Sequence, residues 1–191
     1  MIDTRERIIE ATSALFMQQG YSATGLKAIA DAGEATTGSL YHFFPGGKAE
    51  LAAATLRQSG QGYEQLVMAI FDAAPDVVTG VRWCFDGAAA VLRDTDYVDA
   101  CPIATVALEV ASSDEALRLV TDEVFASWLA AAAQRLEAGG VPRRRAQELA
   151  TVFVAALEGG FLLSRVAKDT GAMELLGRTM ADLVEAALEG R

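Results

Sequence analysis

Thr24-Gly25-Leu26-Lys27-Ala28-Ile29-Ala30-Asp31-Ala32-Gly33-Glu34-Ala35-Thr36-Thr37-Gly38-Ser39-Leu40-Tyr41-His42-Phe43-Phe44 is the stretch whose reading decides the fold. It spells two short helices with a tight turn between them. Thr24 is placed to cap the first, its hydroxyl accepting from an early backbone N–H that has no partner within the helix. Leu26, Ile29 and Ala30 recur at helical spacing and give that helix one apolar side. Gly33 marks the turn, since glycine takes a positive φ without steric cost. Thr36 is placed to cap the second helix, Leu40, Phe43 and Phe44 supply its buried side, and Pro45 stops it. A helix-turn-helix of this shape can lay its second helix in the major groove of DNA.

On the N-terminal side, Asp3 and Glu6 have capping-box spacing, with Asp in place of the usual Ser or Thr. Ile8, Ala11, Leu15 and Phe16 follow on one face, Gly20 closes a first helix, and Tyr21 packs back on the small core. The three helices predict one unit over residues 1–47. On the C-terminal side, Pro45-Gly46-Gly47 leads into a long fourth helix from Lys48 to Phe71, with Gly60 and Gly62 permitting a bend. Pro75 opens a fifth helix ending at Arg93, and Pro102 a short sixth ending at Ala111. Ser112 with Glu115 reads as the capping box of a seventh helix, which ends at Gly139-Gly140. Pro142 opens an eighth ending near Lys168. Asp169 or Thr170 caps a ninth, from Ala172 to Leu188. The reading is an all-α chain with residues 48–191 as a second, larger helical domain.

Composition agrees. The 191 residues are 52% apolar with only four prolines, and spaced runs of alternating β-branched residues are missing. No apolar run reaches the roughly 18–20 residues of a membrane span. The N-terminus lacks a signal peptide's charged-then-apolar order, which predicts a soluble cytoplasmic protein. Cys84 and Cys101 are expected as free, buried thiols. The net charge is −10, of which residues 1–57 carry −1 and the remainder −9. The acid thus lies away from the helix-turn-helix, but the usual basic footprint of a DNA binder is missing. Non-specific DNA affinity is expected to be weak and salt-sensitive, so site recognition needs a dimer and good local contacts.

The last two helices carry stripes too wide for one-sided burial. Val152, Phe153, Ala156, Leu157 and Gly160 lie on one, and Leu176, Met180, Leu183, Val184 and Ala187 on the other. Two readings stand: an internal core, or a dimer face in which two copies of the hairpin form a four-helix bundle across a two-fold axis. Met68, Trp83, Phe85, Cys101, Leu108, Phe125, Trp128 and Phe161 are candidates for an apolar ligand pocket, against the alternative of plain core packing. Such a pocket suits a flat, lipophilic molecule. Glu109, inside an otherwise apolar short helix, reads as a rim residue or a partner for a cation or hydroxyl.

The N-terminal quarter resembles the TetR family of one-component transcriptional repressors. The residues that carry the resemblance are Arg7-Ile8-Ile9-Glu10-Ala11, Leu15-Phe16, Gly20-Tyr21, Thr24, Ile29-Ala30, Gly38-Ser39-Leu40-Tyr41-His42-Phe43-Phe44, and Lys48 with Glu50-Leu51. The Phe44-Pro45-Gly46-Gly47-Lys48 loop and Cys101-Pro102-Ile103-Ala104 are similar to the LmrA/YxaF-type branch. The resemblance implies a homodimer on a palindromic operator, released by a small lipophilic molecule bound in the C-terminal domain, with no cofactor and no metal. Thr36, Thr37, Gly38 and Ser39 then lie at the start of the recognition helix. There Gly38 allows close backbone approach, and Thr37 or Ser39 reaches a base edge or a phosphate. Tyr41 and His42 donate to phosphates, as do Thr24 and Lys27 from the supporting helix. Lys48 and the amides opening the fourth helix make a further phosphate site. For Tyr41 and His42 the competing reading is a core or half-buried helix residue, and for Lys48 a solvated charge. This chain departs from the family at three points: Glu34 stands where the turn glycine usually falls, Thr37 replaces a common Lys or Arg, and one extra residue separates Pro45 from Lys48.

An enzyme is a poor fit. His42, the single histidine, leaves none for a histidine-pair metal site or for a Ser-His-Asp triad away from the DNA motif. Gly46-Gly47-Lys48-Ala49 lacks the glycine spacing and the Ser/Thr of a phosphate-binding loop. The alternative to a ligand-responsive repressor is a helical lipophile-binding or scaffold protein with a vestigial DNA module.

Overall fold

The structure, a computed structural model, describes residues 3–190. Those residues form nine α-helices, with no strand among them: α1 (Thr4–Ala23), α2 (Leu26–Ala32), α3 (Thr37–Phe43), α4 (Gly47–Ala73), α5 (Val77–Asp94), α6 (Pro102–Val110), α7 (Glu115–Ala138), α8 (Arg143–Ala167) and α9 (Gly171–Leu188). They group into two compact units, Met1–Gln61 with Cys101–Val124, and Gly62–Ala100 with Phe125–Arg191. The first unit therefore takes in α6 and the start of α7 beside the three N-terminal helices, although α6 lies far along the chain.

In the first unit, Ile8, Ile9, Ile29, Leu40, Phe44 and Leu51 form a core from which water is excluded. Burial of such side chains stabilises by about 1.5–3 kcal/mol each. Asp3 caps α1, its carboxylate accepting from Glu6 N at 2.9 Å. α1 does not stop at Gly20 but kinks there, the glycine taking φ 80° and ψ −178°, and continues to Ala23. That backbone is open only to glycine. α4 runs through Gly60 and Gly62 without interruption. Gly60 serves close packing instead, because a Cβ there would lie 2.5 Å from Val124 Cγ1.

In the second unit, Phe71, Phe85 and Phe153 stack in the core with ring centroids 5.7–6.0 Å apart. Gly177 brings α9 against α5, where a Cβ would stand 2.7 Å from Phe85 Cβ, and Gly160 leaves room for Met173. The dimer-face reading is revised here. Phe153, Gly160, Met180, Val184 and Ala187 are buried within one protomer. Ala156, Leu157, Leu176 and Leu183 pack against the same core, and only Val152 of the ten is exposed. The other exposed apolar residues of these helices are Ala155, Leu162, Leu163, Val166 and Ala167 on α8 and Leu175 and Leu188 on α9. α8 is apolar on both sides, so a 3.6-residue period does not say which side faces in. By length and composition α8 also qualifies as a membrane span, contrary to the expectation that no run approaches that length. Its inward stripe lies in the unit's core.

Several caps differ by one or two residues from the sequence reading. α5 is capped by Asp76, which accepts from Thr79 N at 2.8 Å, and Pro75 precedes the cap. Asp114, not Ser112, accepts from Leu117 N at 3.0 Å at the start of α7. Before α9, Asp169 accepts from Gly171 N at 2.6 Å, while Thr170 Oγ1 donates to Glu174. In each case the acidic side chain nearest the helix start takes the unpaired amide, as its charge favours. Neither Cys84 nor Cys101 is in a disulfide; both are buried, and burial pushes the Cys84 thiol up to about 12.

Candidate nucleic-acid interface

The recognition helix α3 is rooted by Leu40, fully buried, and followed by Phe44, which is also buried; the Phe44 N–H donates to Leu40 O at 2.8 Å. Its start is capped as the sequence suggests. Thr36 Oγ1 accepts from Ser39 N at 3.0 Å, and the Thr36 and Ser39 hydroxyls lie 2.9 Å apart. With that side held down, Thr36, Thr37, Gly38, Tyr41 and His42 are left exposed along the other, with Tyr41 at 49%, and Ser39 is partly covered. The His42 ring stands edge-on to Phe43 at 5.1 Å. Lys27 on α2 is exposed as well.

The turn between α2 and α3 is built differently from the sequence reading. Glu34, not Gly33, takes the positive φ of 48°, while Gly33 has φ −85°. Gly33 is needed for space, since a Cβ would lie 3.2 Å from Ile8 Cα and from Ile29 O. The Arg7 side chain reaches over from α1, Nε donating to Gly33 O at 3.4 Å and Nη2 to Glu34 O at 3.5 Å. A guanidinium with several donors suits a turn that exposes successive carbonyls.

Thr24 is the clearest reassignment. Gly25 occupies the cap position of α2, and no side chain caps it. Thr24 is fully buried; its hydroxyl donates to Gly20 O at 2.6 Å and accepts from Gln19 Nε2 at 3.2 Å. It braces the α1 kink and has no surface to offer a phosphate. Lys48 is half-buried, with Nζ 4.2 Å from the centroid of the Tyr21 ring. Burial lowers the Lys48 pKa, against the opposing pull of Glu109. Two amides at the start of α4 are already engaged, Gly46 N with Glu50 Oε2 at 2.6 Å and Gly47 N with Phe44 O at 2.8 Å. The anion site imagined there is thus narrower than expected.

The sequence reads Glu109 of α6 as a rim residue or a partner for a cation or hydroxyl. Instead Oε1 accepts from Tyr21 N at 2.8 Å and Oε2 from Ser22 N at 2.7 Å. The kink at Gly20 frees these amides from the helix ladder. A lone carboxylate in an apolar helix is the signal that a distant donor exists, but not where it lies. Burial is the largest single influence on Glu109 and opposes ionisation. Hydrogen bonds from Ser22 and Tyr21, with the Lys48 charge, outweigh it and hold the carboxyl below its usual range.

The eight ligand-pocket candidates divide between the two units. Cys101 and Leu108 belong to the first unit, the other six to the second. Leu108 is 84% exposed, and Trp83 is exposed too. Phe85 is spent in the phenylalanine stack, and Phe161 packs against the same core. Phe125 and Trp128 join Tyr63 in a separate edge-to-face cluster, with centroids 5.5 and 6.4 Å apart. Met68 Sδ lies 3.3 Å from Arg135 Nε. Among the aromatic candidates, Phe85 and Phe161 thus pack in the interior of the second unit and Trp83 stays on its surface. A shallow groove of about 380 Å³ between α7 and α8, lined by Leu129, Ala133, Gln134, Arg143 and Gln147 among others, holds none of the eight.

A capped, exposed helix rooted by apolar residues and preceded by a second helix and a tight turn defines a helix-turn-helix DNA-binding transcriptional regulator. Comparison with known proteins agrees. Residues 8–55 match the family described as bacterial regulatory proteins, tetR family, and residues 77–179 match the transcriptional regulator LmrA/YxaF-like C-terminal domain. The chain is 36% identical over 182 residues to the uncharacterized HTH-type transcriptional regulator YxaF of Bacillus subtilis (strain 168), covering 95% of each. It is 31% identical over 183 residues to the HTH-type transcriptional regulator LmrA of the same strain, covering 96% of this chain and 97% of that one. A TetR transcriptional regulator from Legionella pneumophila has the same fold, with a TM-score of 0.83 at 23% identity over 95% of this chain and 97% of that one. The chain belongs to the TetR family of transcriptional regulators, with an LmrA/YxaF-like C-terminal domain. It binds DNA and is not an enzyme.

Proposed function

We propose that two copies of the chain form a homodimeric repressor that reads a palindromic operator in the cytoplasm and is released by a small lipophilic effector. The observation that carries this reading is α3, rooted by Leu40 and Phe44 and exposing Thr37, Gly38, Tyr41 and His42 on one side. Thr37 and Ser39 are the base-edge candidates. Tyr41, His42 and Lys27 are the phosphate donors, and Lys48 joins them by swinging from the Tyr21 ring. In a dimer the two α3 helices enter successive major grooves about 34–36 Å apart. The net charge of −10 keeps non-specific attraction low, which places the demand for affinity on symmetric, local contacts.

The pairing face is assigned to the exposed stripe Val152, Ala155, Leu162, Leu163 and Val166 of α8, with Leu175 of α9. Such a row of aliphatic side chains in water favours a second copy, which would make a four-helix bundle. The effector is assigned to residues 48–191, acting by preferring a conformer whose recognition helices no longer match the operator. The functional division at residue 47 follows the start of α4.

Selection of duplexes from a random pool by the full-length chain, followed by gel shift, tests the reading. An inverted repeat is the expected product. Tyr41→Phe should weaken all selected sites alike, and Thr37→Ala should alter sequence preference. If both variants bind the selected duplex as wild type does, the contact assignment is wrong. If no duplex is retarded at low salt, the alternative of a lipophile-binding or scaffold protein gains.

A further inference from the structure

α1 and α6 meet at one polar point. Glu109 accepts from two consecutive amides, Tyr21 N and Ser22 N, at 2.8 and 2.7 Å. Gly20 makes this possible twice over. Its backbone, φ 80° and ψ −178°, turns the two amides outward, and a Cβ on it would collide with Glu109 Oε1. Gly20 and Tyr21 also hold the start of the helix-turn-helix. Gly20 O accepts from the Thr24 hydroxyl at 2.6 Å, and Tyr21 O accepts from Thr24 N at 3.2 Å. The next residue, Gly25, is the cap of α2. The Tyr21 ring carries the Lys48 ammonium at 4.2 Å and meets Phe16 edge-on at 5.8 Å.

We infer that Glu109 is a positioning residue for operator binding: its carboxylate, held by the Tyr21 and Ser22 amides, sets the kink of α1 and through it the start of α2 and the seat of Lys48. The inference rests on the DNA-binding activity of the family and adds a residue of α6 to the machinery. Nothing in α6 touches DNA in this account. Glu109 acts through three residues of α1 and one ring. The alternative, that Glu109 is simply an acid near the DNA-binding unit, predicts the opposite sign. Removing a negative charge there should raise affinity for any duplex.

The full-length chain, Glu109→Ala, Glu109→Gln and the control Asp122→Asn, an exposed carboxylate of the same unit, are compared on the duplex selected by wild type and on a scrambled duplex. Measurements are made well below each variant's melting temperature. Glu109→Ala is expected to lose about tenfold on the selected duplex, within the usual range for coupling between sites. It should hold or gain on the scrambled duplex, and Asp122→Asn should match wild type on the selected one. Amide exchange at Tyr21 and Ser22 should rise in both Glu109 variants while α8 and α9 stay as protected as before. Glu109→Gln, which keeps the shape and one acceptor oxygen, should fall between wild type and Glu109→Ala, and it decides the matter if Glu109→Ala does not fold. Binding of the selected duplex at wild-type strength or better by the folded variants, or unchanged exchange at Tyr21 and Ser22, overturns the inference. Failure of wild type to select any duplex would count against the operator reading, and amide exchange would still decide the latch.

Discussion

Both compact units use long-range polar contacts and steric fit, but at different places. In the first, single polar contacts between residues far apart in sequence set the geometry: Arg7 on the Gly33 and Glu34 carbonyls, Glu109 on the Tyr21 and Ser22 amides. In the second, Arg165 donates to the Tyr97 and Val98 carbonyls in the segment after α5, while the helices meet by steric fit, with Gly177 against Phe85, Gly160 against Met173, and three phenylalanines stacked at 5.7–6.0 Å. A hydrogen bond is directional and local, so it holds a helix start to a fraction of an ångström. Apolar packing is stronger in sum but tolerates rearrangement. The unit that carries α3 has its directional contacts at the kink and the turn that orient the helix-turn-helix, whereas the second unit's helices α5, α8 and α9 are set against one another by close packing.

That contrast can be broken from the packing side first. Phe153→Ala should destabilise by about 3–5 kcal/mol, the range for a buried aromatic. Because Phe153 is core and not interface, thermal melts should show the same loss at every protein concentration. A loss that shrinks on dilution would return Phe153 to the pairing face. Gly20→Ala should cost about 1–3 kcal/mol from its backbone alone, with a further loss from displacing Glu109. In a double-mutant cycle the cost should be smaller in the Glu109→Ala background, and full additivity would mean the two do not touch.

Smaller effects sharpen the same contrast. Val166→Glu, at an 81% exposed position, should leave the protomer fold within about 0.5 kcal/mol and shift sedimentation from dimer to monomer. A variant that still sediments as a dimer would place the pairing face elsewhere. The Glu109 contribution has a definite pH window. Its pKa is lowered on folding, so the stabilisation is fully present above the ordinary carboxyl range and is lost as pH falls through the lowered value. The groups facing it are Lys48, Tyr21 and, through Tyr21, Asp114. The melting-temperature gap between wild type and Glu109→Gln should therefore stay constant from neutral pH down to that range and close only below it. Least of all, Arg57→Ala should cost under about 1 kcal/mol, since its partner Glu123 is 3.1 Å away but both side chains are more than half exposed.

Where a residue's partner lies within one turn of helix, its role could be read directly. Thr36 capping Ser39, Asp3 capping Glu6, and the exposed side of α3 are of this kind. Thr24 and Gly33 differ from their sequence reading because their residue types fit a local role while a partner outside the helix each bounds decides what they do. Thr24 turns back to Gly20, and Gly33 makes way for Ile8. Asp114 displaced Ser112 because a charged acceptor nearer the helix start satisfies the amide better. For the pocket, residue type alone could not separate an aromatic that lines a cavity from one that fills a core.

The order and type of the helices, the cap and exposed side of α3, and membership of a DNA-binding family follow from the chain read by itself, because they depend on contacts three or four residues apart and on a recurring local motif. Which stripe of α8 faces inward, why Glu34 carries the turn's positive φ, and what Glu109 does were decided only by the tertiary structure. Each depends on a partner brought near by folding, in the case of Glu109 one 87 and 88 residues away, and neither periodicity nor spacing holds information about such a pair.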